Sequence, residues 1–342
     1  MRGLILTGCA GFIGLNFLKE LCSNKDTLNM YNIIISIDKL GYATEYNNPE
    51  YKRLCEENKI VQIDKNINDL SINDDIFNNL KLKEYKLDIL DFASESHVDN
   101  SINNPSFAFS ENSNIPSNLI RWIRDLKTIN HYIHISTDEV YGDIEIEEAF
   151  DKTKWFTENS PIRPSNPYSA SKVAQDMYLH SMWKTFGLNV TLIRMANQFG
   201  INQHPEKMLP ASISRAINGQ PIKIYGNGKN LRQWTWVEDT VKNILFILQT
   251  PKLSNNFKIY QISDERNLVD NNTIIQLLSK SLTKYGIPVL KQYIEDRKGH
   301  DKAYALISDF NNFDNSLSDN IDALVSWFAN NKIGTANYAK KI

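Results

Sequence analysis

The stretch Leu4-Ile5-Leu6-Thr7-Gly8-Cys9-Ala10-Gly11-Phe12-Ile13-Gly14 decides the fold. An apolar run too short for a helix meets three glycines spaced three apart, and an amphipathic segment, 12–22, follows at once. That order predicts a buried strand, a tight turn and a helix. Gly8, Gly11 and Gly14 allow the chain to turn sharply and a pyrophosphate to approach the backbone. The free N–H groups and partial positive charge of the helix N-terminus then hold the anion. The spacing is GxxGxxG, not the GxGxxG of the general dinucleotide fingerprint, so the strand before and the helix after carry the reading.

Outward from this loop, further β-branched runs at 33–37, 60–63, 87–92, 132–135 and 190–194 alternate with helical stretches at 117–126 and from Pro167 through Met177 and Trp183. Strand and helix in regular alternation predict an α/β fold with a doubly wound parallel sheet. Asp38 ends the second run. A carboxylate there accepts hydrogen bonds from ribose hydroxyls and repels a 2′-phosphate, which favours NAD over NADP. After Gly200 the pattern loosens, broken by Pro205, Pro210, Pro221 and the Gly226-Asn227-Gly228 turn. We therefore expect a cofactor domain over 1–194, with part of 236–262 returning to it, and a smaller mixed α/β substrate-binding lobe over 195–342.

Bulk properties narrow the function. The 342 residues are 42% hydrophobic, enough for a sizeable core. A net charge of -2 offers no basic surplus for nucleic acid or an anionic membrane. Cys9, Cys22 and Cys55 form no CxxC pair and are expected to be reduced packing residues. The six histidines show no HxxxH or HExxH spacing, so no metal site is expected. The first apolar run is too short for a signal peptide or a membrane span, which points to the cytoplasm.

Two segments carry candidate chemistry. His134-Ile135-Ser136-Thr137-Asp138-Glu139-Val140-Tyr141-Gly142 begins as a buried strand, where His134 is expected to pack, and ends in polar side chains at the carboxyl end, where a parallel sheet opens to its cofactor. Tyr168-Ser169-Ala170-Ser171-Lys172, after Pro164-Ser165-Asn166-Pro167, sets Tyr168 and Lys172 on one helix face. A neighbouring ammonium is expected to lower the phenol pKa from its usual ~10 and make Tyr168 a base for a sugar hydroxyl. Each pattern alone is weak; with the glycine loop, in this order, the set is specific.

These motifs resemble the extended short-chain dehydrogenases/reductases, and within them the dTDP-glucose 4,6-dehydratases. The similarity runs from residue 3 to about 310. It also takes in Asp38-Lys39-Leu40, Glu95-Ser96-His97-Val98-Asp99, Pro205-Glu206-Lys207-Met208-Leu209-Pro210, Arg232-Gln233-Trp234, Val237-Glu238-Asp239 and Asp296-Arg297-Lys298-Gly299-His300-Asp301. The resemblance implies a Rossmann-type NAD domain, a nucleotide-diphosphate hexose substrate and a homodimer paired through helices near 105–126 and 167–184. It implies that Tyr168, aided by Lys172 and Thr137, takes the C4 hydroxyl proton. Ionised Glu139 takes the C5 proton, protonated Asp138 gives its proton to the departing C6 hydroxyl, and a 4-keto-6-deoxy sugar results. Cofactor contacts are expected from Gly8, Gly11, Phe12, Ile13, Gly14, Asp38, Lys39, Asn66, Ile67, Phe92, Ala93, Ser94, Asn114, Tyr168 and Lys172. Substrate contacts are expected from Ser96, His97, Asn197, Glu206, Lys207, Met208, Arg232, Arg297 and His300.

The chain departs from the family pattern at Gly41, Asn66, Asn100, Pro116, Gln198 and the 263–266 stretch. Pro116 should distort a helix there. Changes at Arg194 and Arg266 are expected to fall where the nucleotide and sugar bind. Two other readings compete: a nucleotide-sugar 4-epimerase, which usually lacks the adjacent Asp-Glu pair, and a non-catalytic NAD-binding regulator, which needs no such catalytic set.

Overall fold

Alternation along the first strand builds both faces of the main sheet. Leu4 and Leu6 enter one hydrophobic core, with Leu15, Leu18, Ile133 and Ile244, while Ile5 enters the other, with Ile35, Ile89, Leu119 and Leu192. The computed structural model describes residues 1–45, 47–71, 75–123, 125–251, 255–296 and 299–331. The strands are β1 (Arg2–Thr7), β2 (Ile33–Asp38), β3 (Val61–Asp64), β4 (Lys86–Asp91), β5 (Ile129–Thr137), β6 (Val190–Met195), β7 (Asn197–Phe199), β8 (Ile222–Tyr225), β9 (Leu231–Trp236), β10 (Phe257–Ile262), β11 (Leu268–Asp270) and β12 (Lys291–Ile294).

Among the described residues, seven strands form a parallel sheet in the order β10-β6-β5-β4-β1-β2-β3. The order reverses between β1 and β4. Connections leave in opposite directions there, and a crevice opens at the carboxyl ends of the strands. The expected doubly wound, Rossmann-type sheet is therefore present. Late in the chain, helix Val237–Gln249 packs against helix Phe12–Ser23, and β10 becomes the sheet edge beside β6. A three-stranded sheet, β11-β9-β7, and a parallel pair, β12-β8, form a smaller mixed region. Its own core holds Phe199, Ile213, Trp234, Trp236, Leu278, Leu324 and Phe328.

Pro116 divides a helix without abolishing it. One helix, Pro105–Ser113, stops at Asn114, and a second, Ile115–Ile123, begins with Pro116 in its first turn, where the missing N–H costs no hydrogen bond. β5 is longer than its apolar run because Asn130 and His131 lie in it. His131 is buried with its Nε2 2.8 Å from Thr191 Oγ1 on β6. All three cysteines are free and buried, as expected of packing residues.

Candidate active site

Gly8 has φ +66°, and a side chain there would press on the backbone of Ala93 after β4. A Cβ on Gly14 would run into Gly8 O and Cys9 Cα. Gly11 caps helix Phe12–Ser23 without a side-chain hydrogen bond. The loop therefore leaves a backbone cradle at a helix N-terminus that only glycines keep open, and it fits a dinucleotide pyrophosphate. Asp38, 6% exposed, stands at the end of β2 and accepts from Ala10 N and Leu40 N, both at 2.9 Å. Burial raises its carboxyl pKa, against the opposing pull of those two N–H groups.

Among the residues expected at the cofactor, Asn66 is engaged with its protein neighbours. Its Oδ1 caps the turn Ile67–Asp69 through Asn68 N, while its Nδ2 donates to Glu111 Oε2 at 3.2 Å. Lys39 pairs with the same carboxylate at 3.2 Å. Asn114 is exposed and donates to Ser110 O, so its side chain caps a helix end. The buried amide that joins this region is Asn112. It accepts from Glu95 N at 2.7 Å and donates to Glu95 O and Ser171 Oγ. Asn112 thereby fastens the loop after β4, which carries Phe92, Ala93 and Ser94, to the helix that carries Tyr168. No sequence signal marked it over Asn114, because both sit in the same polar run.

The chemical cluster lies at the carboxyl end of β5. Thr137 closes the strand, and Asp138–Tyr141 form a single 3₁₀ turn capped by Thr137 Oγ1 on Glu139 N at 3.3 Å. The turn buries Asp138, 2% exposed, and leaves Glu139 half-buried. Thr137 Oγ1 also donates to Asp138 Oδ1 at 3.3 Å, whereas Asp138 Oδ2 is buried and finds no partner among the described residues. Burial and the charge of Glu139 push the Asp138 pKa up to about 8; the Arg232 charge opposes this. Asn166 joins the site by its amide. It caps helix Pro167–Phe186 through Ser169 N and donates to Glu139 Oε2 at 3.1 Å.

Tyr168 is buried in the first turn of that helix, hydrogen-bonded to Ser94. Its pKa is raised, by burial first and then by the charges of Glu139 and Asp138. This reverses the direction expected from the Tyr168–Lys172 spacing. The lysine ammonium turns inward: Nζ donates to Ile135 O at 2.8 Å and lies 3.1 Å from His134 Nε2. The shared helix face is real, but the charge is spent on β5 rather than on the phenol. Lys172 is itself lowered to about 8 by burial, with Asp91 and Asp176 opposing.

Among the expected substrate residues, Lys207 and Ser96 touch each other, and the Arg232 charge reaches Asp138. Lys207 Nζ donates to Ser96 O at 2.6 Å. His97 caps helix Val98–Asn103, and Met208 opens helix Met208–Ile217. Glu206 pairs with His204 at 3.6 Å; burial alone would raise its pKa, but His204, Lys207 and His97 bring it below the usual value. Tyr42, which the sequence reading passed over, donates to Glu95 Oε1 at 3.0 Å, accepts from Asn100 Nδ2 and meets the His204 ring edge-on. Asn197 opens β7, half-buried. Arg232 on β9 is buried, donates to Asp301 O and Leu231 O, and lies 4.3 Å from the Tyr304 ring centre. His300 bonds Asp296 at 2.6 Å. Arg297 lies outside the described residues.

Two of the departures make ion pairs within the protein. Arg194 is buried within β6, paired with Asp176 at 3.1 Å and bonded to Tyr141 Oη at 2.8 Å, so it holds β6 to the neighbouring helix and turn. Arg266 pairs with Asp264, two residues before it, at 2.8 Å. Both side chains are engaged in structural ion pairs. Among the described residues no group of histidine, cysteine and carboxylate side chains is arranged to hold a metal.

Comparison with known proteins agrees with this geometry. The model of the NAD dependent epimerase/dehydratase family matches residues 4–263. A dTDP-glucose 4,6-dehydratase of Haemophilus influenzae is 34% identical over 322 residues, covering 90% of each chain. The low-salt glycan biosynthesis protein Agl12 of Haloferax volcanii is 33% identical, covering 89% of each. A crystal structure of the dTDP-glucose 4,6-dehydratase of Streptomyces venezuelae with NAD bound superposes with a TM-score of 0.82 at 28% identity, covering 97% of this chain and 98% of that one. A UDP-glucuronic acid 4-epimerase from Bacillus cereus, at 20% identity and TM-score 0.81, shares the fold.

Proposed function

The chain belongs to the NAD dependent epimerase/dehydratase family, and we propose that within it the chain is a nucleotide-sugar 4,6-dehydratase, a hydro-lyase that converts an NDP-hexose of the dTDP-glucose kind to its 4-keto-6-deoxy form. The observation that carries this reading is Asp138. A buried carboxyl pushed up to about 8 keeps its proton at neutral pH, beside a second carboxyl on the same turn that is held by Asn166. A 4-epimerase has no use for an acid poised to expel water.

NAD, when bound, would supply the hydride acceptor for C4 and the hydride donor for C6. The chain does the rest. Gly8, Gly11 and Gly14 would hold the pyrophosphate on backbone N–H groups, and Asp38 would hold the adenosine ribose. Tyr168, hydrogen-bonded to Ser94 and aided by Lys172 and Thr137, takes the C4 hydroxyl proton in its phenolate form, which the positive charge of bound NAD would favour. The resulting ketone acidifies C5, and Glu139, aimed by Asn166, removes that proton. Asp138 gives its proton to the C6 hydroxyl as it leaves. Lys207, Ser96 and His97 line the sugar and diphosphate side, with Asn197, Glu206, Met208, Arg232, Arg297 and His300 completing the substrate contacts. The test is incubation with dTDP-, UDP-, CDP- and GDP-hexoses, with products weighed. The expected product of one of them is lighter by one water; products of unchanged mass would favour an epimerase, and no conversion at all a regulator.

We divide the labour between residues 1–194 with part of 236–262, which bind NAD, and the rest of 195–342, which bind the nucleotide sugar. Hydrogen exchange should show NAD protecting the first set, and protection confined to the second would contradict the division. A homodimer is proposed through helices Pro105–Ser113 and Pro167–Phe186, which pack on each other and leave Phe107, Phe109 and Met177 exposed. Sedimentation should give twice the chain mass, and Phe107→Lys should lower it; a single-chain mass for the unaltered protein would contradict this. No described helix is long and apolar enough to cross a membrane. We place the enzyme in the cytoplasm; its recovery in washed membranes would argue otherwise.

A further inference from the structure

Residues of β5 alternate between two environments. Ile133 and Ile135 enter one apolar core, while Tyr132 and His134 turn to the side covered by helix Pro167–Phe186. Tyr132 packs there with Leu179 and Met182, so a hydrocarbon at 134 would have suited the same surroundings. A fully buried imidazole is costly unless both ring nitrogens are satisfied. Here both are. Nδ1 lies 3.1 Å from Asp91 Oδ2, and Nε2 lies 3.1 Å from Lys172 Nζ. Lysine can only donate, so Nε2 is the acceptor and the proton sits on Nδ1, donated to Asp91. Burial and the charge of Lys172 lower the His134 pKa, which agrees with a neutral ring.

Asp91 fixes this arrangement from behind. At the end of β4, it also accepts from Tyr132 Oη at 2.9 Å and from Thr7 Oγ1 at 2.5 Å. Thr7 is the last residue of β1 and directly precedes Gly8. A continuous buried chain thus runs from the glycine loop through Thr7, Asp91 and His134 to Lys172.

We infer that His134 is a positioning residue: oriented by Asp91, it holds the Lys172 ammonium against β5 and, through Asp91 and Thr7, links the lysine to β1, the strand that carries the cofactor loop. The consequence for catalysis rests on the role proposed above for Lys172. Without the imidazole the ammonium keeps Ile135 O but loses its second partner, and both its position and its charge are less well held. The charged and titratable groups facing the cluster are Asp91 on β4, Tyr132 on β5, Asp176 on the helix, Tyr141 after β5 and Arg194 on β6. All remain in the variants below.

Two amides separate positioning from packing. In His134→Gln the side-chain oxygen reaches the place of Nε2 and still accepts from Lys172. In His134→Asn the shorter amide reaches only the place of Nδ1, so Asp91 keeps its donor and the lysine loses its acceptor. NMR titration of the Lys172 ε-methylene in the protein without ligands reads the lysine directly. The expected result is a Lys172 pKa lowered by roughly one pH unit in His134→Asn and restored in His134→Gln, because a hydrogen bond to the ammonium favours the charged form. With substrate, kcat should fall roughly tenfold or more in His134→Asn, with KM little changed, and recover in His134→Gln. Equal lysine titration in all three proteins would overturn the inference. So would equal losses in both variants with a lowered melting temperature, which would leave His134 a packing role alone. If the unaltered chain converts no nucleotide hexose, the dehydratase reading fails, and the titration still decides the positioning.

Discussion

Asp138→Asn is expected to lower the rate of water loss at pH 7 by about 10²–10⁴-fold, the range over which a positioned general acid contributes. The amide keeps the shape of the carboxyl but has no acidic proton to give. Deprotonation at C5 by Glu139 is not touched, so the ketone should exchange its C5 hydrogen with deuterated solvent while C6 keeps its hydroxyl. Exchange without elimination separates this from general damage to the site. The same variant should be more stable than the unaltered protein in alkali. The Asp138 pKa is raised from 3.8 to about 8, so the folded protein holds a proton that the unfolded chain releases. That stabilising contribution is fully present below about pH 4 and is lost as the pH rises through about 8. Asparagine does not ionise and escapes the loss. The melting temperature of Asp138→Asn should therefore exceed that of the unaltered protein near pH 8 and lose the advantage near pH 4. Normal dehydration by Asp138→Asn would remove this residue from its role.

Glu139→Gln should have an effect of similar size and opposite signature. The amide cannot take the C5 proton, so neither solvent exchange at C5 nor water loss should proceed, and product formation should drop by about 10²–10⁴-fold. The Asn166 contact at 3.1 Å allows the replacement to be held in place, so substrate affinity should change little. Unchanged exchange at C5 in this variant would assign the base elsewhere. The two substitutions thus divide one reaction at a single step: Asp138→Asn stalls after C5 opens, Glu139→Gln before it.

Much of the scaffold was legible because its signals are local. Alternating apolar runs such as Leu4-Ile5-Leu6 and Ile33-Ile34-Ile35 bury both faces of a parallel strand, and the glycine loop must sit between a strand and a helix to work. The adjacent Thr137-Asp138-Glu139 was legible for the same reason, since one short turn places all three. What was not legible depends on partners distant in sequence. Nothing near Lys172 shows that its ammonium turns to His134, 38 positions earlier, rather than to Tyr168. The choice between Asn112 and Asn114 is made by Glu95 and Ser171. Arg194 reads only as a departure from the family pattern until Asp176 and Tyr141 are placed around it. Charged groups in β-strands take their meaning from the element packed against them, and the linear sequence does not carry that packing.

The central claim is that a hydrogen leaves C4 of the hexose and returns, within the same molecule, to C6 while the Asp138–Glu139 pair removes water. The most direct measurement uses dTDP-glucose carrying deuterium at C4, with the product read by mass and NMR. The account predicts a 4-keto-6-deoxy product, lighter by one water, with the deuterium on its C6 methyl group. Deuterium that stays on C4, or that passes to the solvent, would contradict it.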